Sequence, residues 1–187
     1  MEYLGLAGRL VIGLVFLVAA VPKLRDPAAF RRSVDAYKIL PASWVGPVAR
    51  ALPPLEIAIG VMLVTGILII PVSVIAAVVL VAFGASIWYA VERGSKIGCG
   101  CGFRGLQQVS RKLVARNAAL TVAAAAAAVW PSGALALFPG PGVPESSIAT
   151  TDAWAVVVAV VAAYGVTMVA LELRRFIASS SATASAV

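Results

Sequence analysis

Five stretches of this chain are apolar for long enough to cross a bilayer. They are Leu4–Val21, Ala51–Ile70, Val72–Val91, Leu113–Trp130 and Ala153–Leu173, the last closed by Arg174 and Arg175 so that the segment covers residues 153–175. Each approaches the roughly 20 residues that a helix rising about 1.5 Å per residue needs to span the hydrocarbon. Pro71 is the sole interruption between the second and third, which predicts a tight helical hairpin with Pro71 at its bend, where a missing N–H costs nothing. The first span begins Met-Glu-Tyr-Leu, without the basic start of a signal peptide, and is expected to stay in place as a helix.

Between these runs the pattern changes. Asp26-Pro27 reads as an N-cap followed by proline at the first helical position. Phe30, Val34, Tyr37 and Leu40 or Ile39 then recur at helical spacing, opposite Arg31, Arg32, Asp35 and Lys38. This predicts an amphipathic helix over about 26–40 lying in the membrane interface and ended by Pro41, with Trp44 at headgroup depth. Residues 131–152 form a Gly/Pro-rich loop carrying Glu145 and Asp152 but no Lys or Arg. The Ser/Ala-rich tail, 176–187, is expected to be disordered. Ala123–Ala128 offers a smooth face for close helix packing.

Composition fixes the solvent. Of 187 residues, 61% are hydrophobic and 12% charged, whereas a soluble domain carries about 25% charged residues. The expected fold class is therefore all-α, an integral membrane helical bundle, with the lipid bilayer as its surroundings. The net charge of +7 does not point to nucleic acid, because the cations lie between spans and no nucleic-acid motif is present.

The same cations order the topology. One loop carries Lys23, Arg25, Arg31, Arg32, Lys38 and Arg50; another, with the start of the fourth span, carries Arg93, Lys96, Arg104, Arg111, Lys112 and Arg116. Arg174 and Arg175 follow the fifth span, and Arg9 lies within the first, completing the 15 Lys and Arg residues. The loops after spans two and four have none. The positive-inside rule then expects a multi-pass protein of the inner (plasma) membrane, with its N-terminus outside and the loop over 93–112 and the C-terminus cytoplasmic.

Candidate chemistry is confined by what is missing. With no histidine, the commonest metal ligand and the usual proton shuttle are absent, and so is any Ser-His or Cys-His pair. The two cysteines, Cys99 and Cys101, flank Gly100 in a loop reading Gly98-Cys99-Gly100-Cys101-Gly102-Phe103-Arg104-Gly105. Glycine on both sides lets the thiols approach each other, and the small ring of a Cys-Gly-Cys disulfide favours easy reduction. Arg93, Lys96 and Arg104 nearby stabilise thiolate. Thiol–disulfide exchange is the leading expectation. Two thiolates holding Cu(I), as a soft-metal carrier, and cysteines without chemistry in a scaffold or assembly factor remain as alternatives. No further metal site is expected.

Glu56 is the other residue out of place. It lies about one turn inside the second span, after Pro53-Pro54, and a carboxylate at that depth is costly unless paired. Lys23, Arg116 and Asn117 are expected at the same end of the bundle, where they can pair with it structurally or support the thiols. Arg9 lies near the opposite face.

Several of these residues, in order, resemble MauE/DoxX-type membrane proteins. The front half is carried by Lys23-Leu24-Arg25-Asp26-Pro27 with Phe30, then Tyr37, Leu40-Pro41, and Pro54-Leu55-Glu56-Ile57 with Gly60 and Thr65-Gly66. Cys99-Gly100-Cys101, then Val114-Ala115-Arg116-Asn117 with Leu120, resemble the redox loop and following helix of MauE. The resemblance covers about Leu4–Trp130, so a DoxX-like four-helix membrane domain over 1–130 is expected, with the fifth C-terminal transmembrane helix an addition. The family loop reads Cys-x-Cys-Phe-Gly, whereas here Gly102 is inserted before Phe103 and Arg104 follows.

The resemblance implies a redox component that supports maturation of disulfide-rich exported proteins, notably the methylamine dehydrogenase light subunit, alongside a thioredoxin-like protein. A quinone is a suitable electron sink, although no binding motif for one, or for another cofactor, is evident.

Overall fold

The first apolar run becomes α1 (Glu2–Arg25), a helix of 24 residues that continues past the expected end at Val21 and carries Pro22 within it. The computed structural model describes residues 2–94, 98–99, 107–108, 110–138, 140–143, 152–160 and 162, with the backbone alone in two short strands. After α1 come α2 (Pro27–Ala36), α3 (Ala42–Thr65) and α4 (Ile69–Glu92). The strands β1 (Gly98–Cys99) and β2 (Gln107–Gln108) precede α5 (Arg111–Val129). Four of these helices, α1, α3, α4 and α5, are long and apolar enough to cross a membrane, with mean hydropathies between 1.3 and 2.5 over their most apolar windows. The chain is thus an α-helical membrane bundle. The fifth predicted span, residues 153–175, starts as helix over 152–160. Its continuation beyond Ala162, the tail 176–187 and loop residues 144–151 lie outside the described residues.

Two expectations are corrected. The second span begins at Ala42 rather than Ala51 and ends at Thr65 rather than Ile70. Its first turns hold Trp44, Val45 and Val48 on an otherwise mixed stretch, and the helix runs through Pro47, Pro53 and Pro54 despite the carbonyls those prolines leave without a donor. The bend to α4 is made by Gly66, not Pro71. Gly66 closes α3 in the left-handed region at φ 72, and the N–H groups of Gly66 and Ile67 both return to the Met62 carbonyl. Leu68 is also left-handed (φ 49), and Pro71 falls in the first turn of α4, where its missing N–H has no helical acceptor to lose.

The bundle is not built from that hairpin. α1 packs chiefly on α3 and α4 chiefly on α5, whereas α3 and α4 share few contacts. The shared core is Ile12 and Phe16 of α1, Ile59 and Leu63 of α3, and Val72, Ala76 and Leu80 of α4 with Ala124 and Ala127 of α5. α1 and α3 approach closely where two glycines meet: a Cβ on Gly60 would lie 2.9 Å from the Gly13 carbonyl oxygen. Small residues at a crossing let backbones touch, the usual device for helix association in lipid. Val74, Ile75, Val78 and Val81 of α4 stay exposed and form a lipid-facing side.

α2 forms as its cap predicts. The Asp26 carboxylate accepts the Ala29 N–H at 2.8 Å, with Pro27 at the first helical position. It ends at Ala36, before Pro41, because Lys38 turns left-handed at φ 51. Phe30 and Ser33 are its buried residues, while Ile39 and Leu40 remain exposed beyond it.

One end of the bundle is closed by the segment after α5. Arg9 is 1% exposed and donates from Nη1 to the Ser132 carbonyl at 3.2 Å and from Nη2 to the Ala134 carbonyl at 2.9 Å. The Leu68 N–H meets the Phe138 carbonyl at 2.8 Å and the Leu137 N–H meets the Thr65 carbonyl at 3.0 Å. Gly66 is enclosed here: a Cβ would lie 2.6 Å from Ala136 Cα and 2.7 Å from Arg9 Nη1. Gly66→Ala is therefore expected to lower stability in detergent by about 2–4 kcal/mol, from left-handed strain plus overpacking. Gly94→Ala, at φ 63 with none of the described residues near its Cβ, should cost only the strain, about 1–2 kcal/mol. Thermal unfolding of the two variants side by side checks the difference.

Candidate functional site

At the other end, four helices meet around one ion pair. Lys23 in the last turn of α1 and Glu56 in the middle of α3 join through Nζ and Oε1, each about 1% exposed. The Lys23 ammonium also lies over two rings, 5.3 Å from the centre of Phe30 in α2 and 5.1 Å from that of Phe83 in α4. An aromatic face attracts a cation through its quadrupole, so the rings offset part of the hydration the ammonium loses. Glu56 thus finds the opposite charge that its depth requires.

The other supporting residues are distributed differently. Asn117, 5% exposed, donates from Nδ2 to the Leu80 carbonyl at 3.3 Å and ties α5 to α4. Arg116, its neighbour in α5, is exposed, so it does not join the buried pair. Helical periodicity explains the split, since adjacent residues point about 100° apart and only one can face α4. Arg93 lies with its guanidinium 4.1 Å from the centre of the Tyr89 ring. Phe83 cannot be picked out from sequence as a partner for Lys23, because an aromatic within an apolar span looks like any other core residue.

The thiol loop follows α4. From Phe83 the helix runs on to Glu92, about 14 Å at 1.5 Å per residue. Ile87 of α4 and Leu113 of α5 pack together below the loop. β1 and β2 then pair antiparallel, setting Gly98 opposite Gln108 and Cys99 opposite Gln107. Cys99 therefore stands at the base of the connection over residues 100–106, held there by backbone pairing. Gly100, Cys101 and Arg104 lie outside the described residues. Among the described residues no cluster of His, Cys, Asp or Glu could hold a metal ion.

Comparison with known proteins adds a family. The family model for Methylamine utilisation protein MauE matches residues 1–131. The chain is 41% identical over 122 residues to Methylamine utilization protein MauE of Paracoccus denitrificans, covering 64% of this chain and 66% of that protein. It is 36% identical over 123 residues to the protein of that name from Methylophilus methylotrophus, covering 62% and 65%. The chain thus spans just under two thirds of the length of these curated relatives. No solved structure matches it.

The geometry makes the ion pair testable. Glu56→Gln leaves an ammonium buried without its counter-charge, and is expected to cost about 3–5 kcal/mol in thermal unfolding. The double change Lys23→Met with Glu56→Leu should restore most of that loss, since replacing a buried pair by apolar groups is often near neutral. Val78→Leu, at a residue 63% exposed, should change stability by less than about 0.5 kcal/mol. Equal effects of Glu56→Gln and Val78→Leu would remove the pair from the account.

Proposed function

This chain belongs to the MauE family, and from that premise we propose that it is a membrane thiol–disulfide redox component whose working groups are Cys99 and Cys101. The observation that carries the reading is the placement of the only two thiols in the chain, one residue apart, in the link between α4 and α5, with Cys99 registered against Gln107. Exchange needs no metal and no histidine. In the oxidising direction, a thiolate of the partner protein attacks the Cys99–Cys101 disulfide and forms a mixed disulfide, releasing one cysteine as thiolate. A second thiolate of that protein then displaces the other, leaving its own disulfide and a reduced Cys99–Cys101 pair. Two electrons have moved to this chain. A thioredoxin-fold protein is the proposed partner in that exchange, and a quinone in the bilayer is chemically suited to take the electrons onward. The names of the relatives support methylamine utilisation as the process served, with maturation of the methylamine dehydrogenase light subunit as the proposed role.

Lys23 and Glu56 are assigned a positioning role beneath the loop, by fixing α1, α3 and α4 together. Arg104 and Arg116, both cationic, support thiolate from the loop and from the start of α5. The proposed orientation places the N-terminus outside and the thiol loop on the cytoplasmic face, from the distribution of Lys and Arg. Reporter fusions after Gly105 and after Gly140 should then read cytoplasm and exterior; an external signal after Gly105 reverses the assignment and sets the thiols in the compartment of exported proteins.

The mechanism predicts trapping. In the reverse direction one cysteine of the reduced pair attacks the disulfide of an oxidised thioredoxin-fold partner and the other resolves the mixed disulfide. Changing the resolving cysteine to serine should therefore accumulate a covalent complex, seen as a band that reductant collapses. Changing the attacking cysteine should abolish both complex and partner maturation. The double change should be no worse than the worse single change, because the two act in series. Normal maturation in Cys99→Ser, Cys101→Ser and the double variant would leave a scaffold as the function.

A further inference from the structure

Beside the ion pair, between α2 and the first half of α3, lies a groove of about 840 Å³. Its charged lining comprises Lys23, Arg31, Arg32, Arg50 and Asp35, over an apolar floor that includes Val45 and Pro53. Two of those charges are already committed: Lys23 to Glu56, and Asp35 to Lys38 at 2.6 Å. Arg31, Arg32 and Arg50 are exposed and make no salt bridge among the described residues. Arg31 reaches across the groove: its guanidinium comes within 4.0 Å of where a Gly46 Cβ would lie. Ala42, at the start of α3, also lines the groove, and no side chain caps that helix end at Pro41. Three uncompensated guanidiniums beside an uncapped helix N-terminus describe a site for a phosphate-sized anion.

We propose that this groove holds the headgroup of an anionic phospholipid. Leu24, 51% exposed, lines it, and the chain that leads from α2 into α3 beside it carries the exposed apolar residues Ile39 (45%) and Trp44 (60%), a combination suited to the boundary between headgroup and acyl chain, where tryptophan partitions. The groove also lies where α2, charged on one side and apolar on the other, meets the end of a spanning helix. Arginine forks take phosphate oxygens bidentately while the apolar floor takes the glycerol and first methylenes. A free anion would use the cations alone and leave the apolar rim in water.

Native mass spectrometry of the full chain, released from nanodiscs of mixed phosphatidylglycerol and phosphatidylcholine, tests this. The wild-type chain is expected to retain phosphatidylglycerol over phosphatidylcholine by roughly tenfold or more. Arg31→Gln with Arg32→Gln and Arg50→Gln should bring the ratio close to one. Gly46→Glu, which sets a carboxylate beside Arg31 and removes no cation, should do the same and covers the case in which the triple variant does not fold. Arg111→Gln with Lys112→Gln, exposed at the start of α5, should leave the ratio unchanged. Equal retention of the two lipids, an equal loss in the Arg111/Lys112 variant, or full displacement of the lipid by millimolar inorganic phosphate would each overturn the proposal.

Discussion

A charged pair buried in an apolar bundle constrains everything packed around it. Removing an ammonium and a carboxylate from water costs several kcal/mol for each ion even after relaxation, and the cost is offset only while the two stay together. Lys23 and Glu56 therefore hold α1 and α3 in one register, while Phe30 and Phe83 bring α2 and α4 onto the same point. Apolar contacts alone would not do this, because lipid tails compete equally well for a leucine face. The close Gly13–Gly60 crossing and the buried pair fix the α1–α3 unit at two heights, and Asn117 on the Leu80 carbonyl fixes α4 to α5.

The two ends of the bundle are built for different purposes. At one, the Arg9 guanidinium satisfies carbonyls of the segment after α5, and backbone hydrogen bonds close that segment over the α3–α4 turn. That end is a seal. At the other, a short β pairing that includes Cys99 lies in the link between α4 and α5, and α2 with Arg31 and Arg32 packs on α3, which carries Arg50. Among the described residues Lys23, Arg31, Arg32, Arg50, Arg111, Lys112 and Arg116 lie toward that end, and the chain's two cysteines fall in the link between α4 and α5.

Hydropathy made the spanning helices legible, because about 20 apolar residues have few other uses. The cap of α2 was legible too, since Asp26-Pro27 has a local physical meaning that packing does not overrule. Helix ends were harder. The N-terminal turns of α3 are not apolar enough to stand out, and the structure keeps them helical through Pro47. Pro71 looked like the bend, but a proline in the first turn of a helix is unremarkable, and the chain turned at Gly66, where the left-handed region is cheap. Depth in the span singled out Glu56 as a residue in need of a partner, and Lys23 meets that need. Arg116 shows the limit of the same argument: sequence distance put it at the right end, while helical phase, invisible without the packing of α5 on α4, turned it outward.

In the proposed function Cys99 and Cys101 form one reversible dithiol. Thiol counting on the purified chain in detergent, by maleimide mass addition before and after mild oxidation, tests it most directly. Two labels are expected on the reduced monomer, none after oxidation, and both again after reductant. Two labels that persist through oxidation, or that vanish only as Cu(I) is taken up, would contradict it.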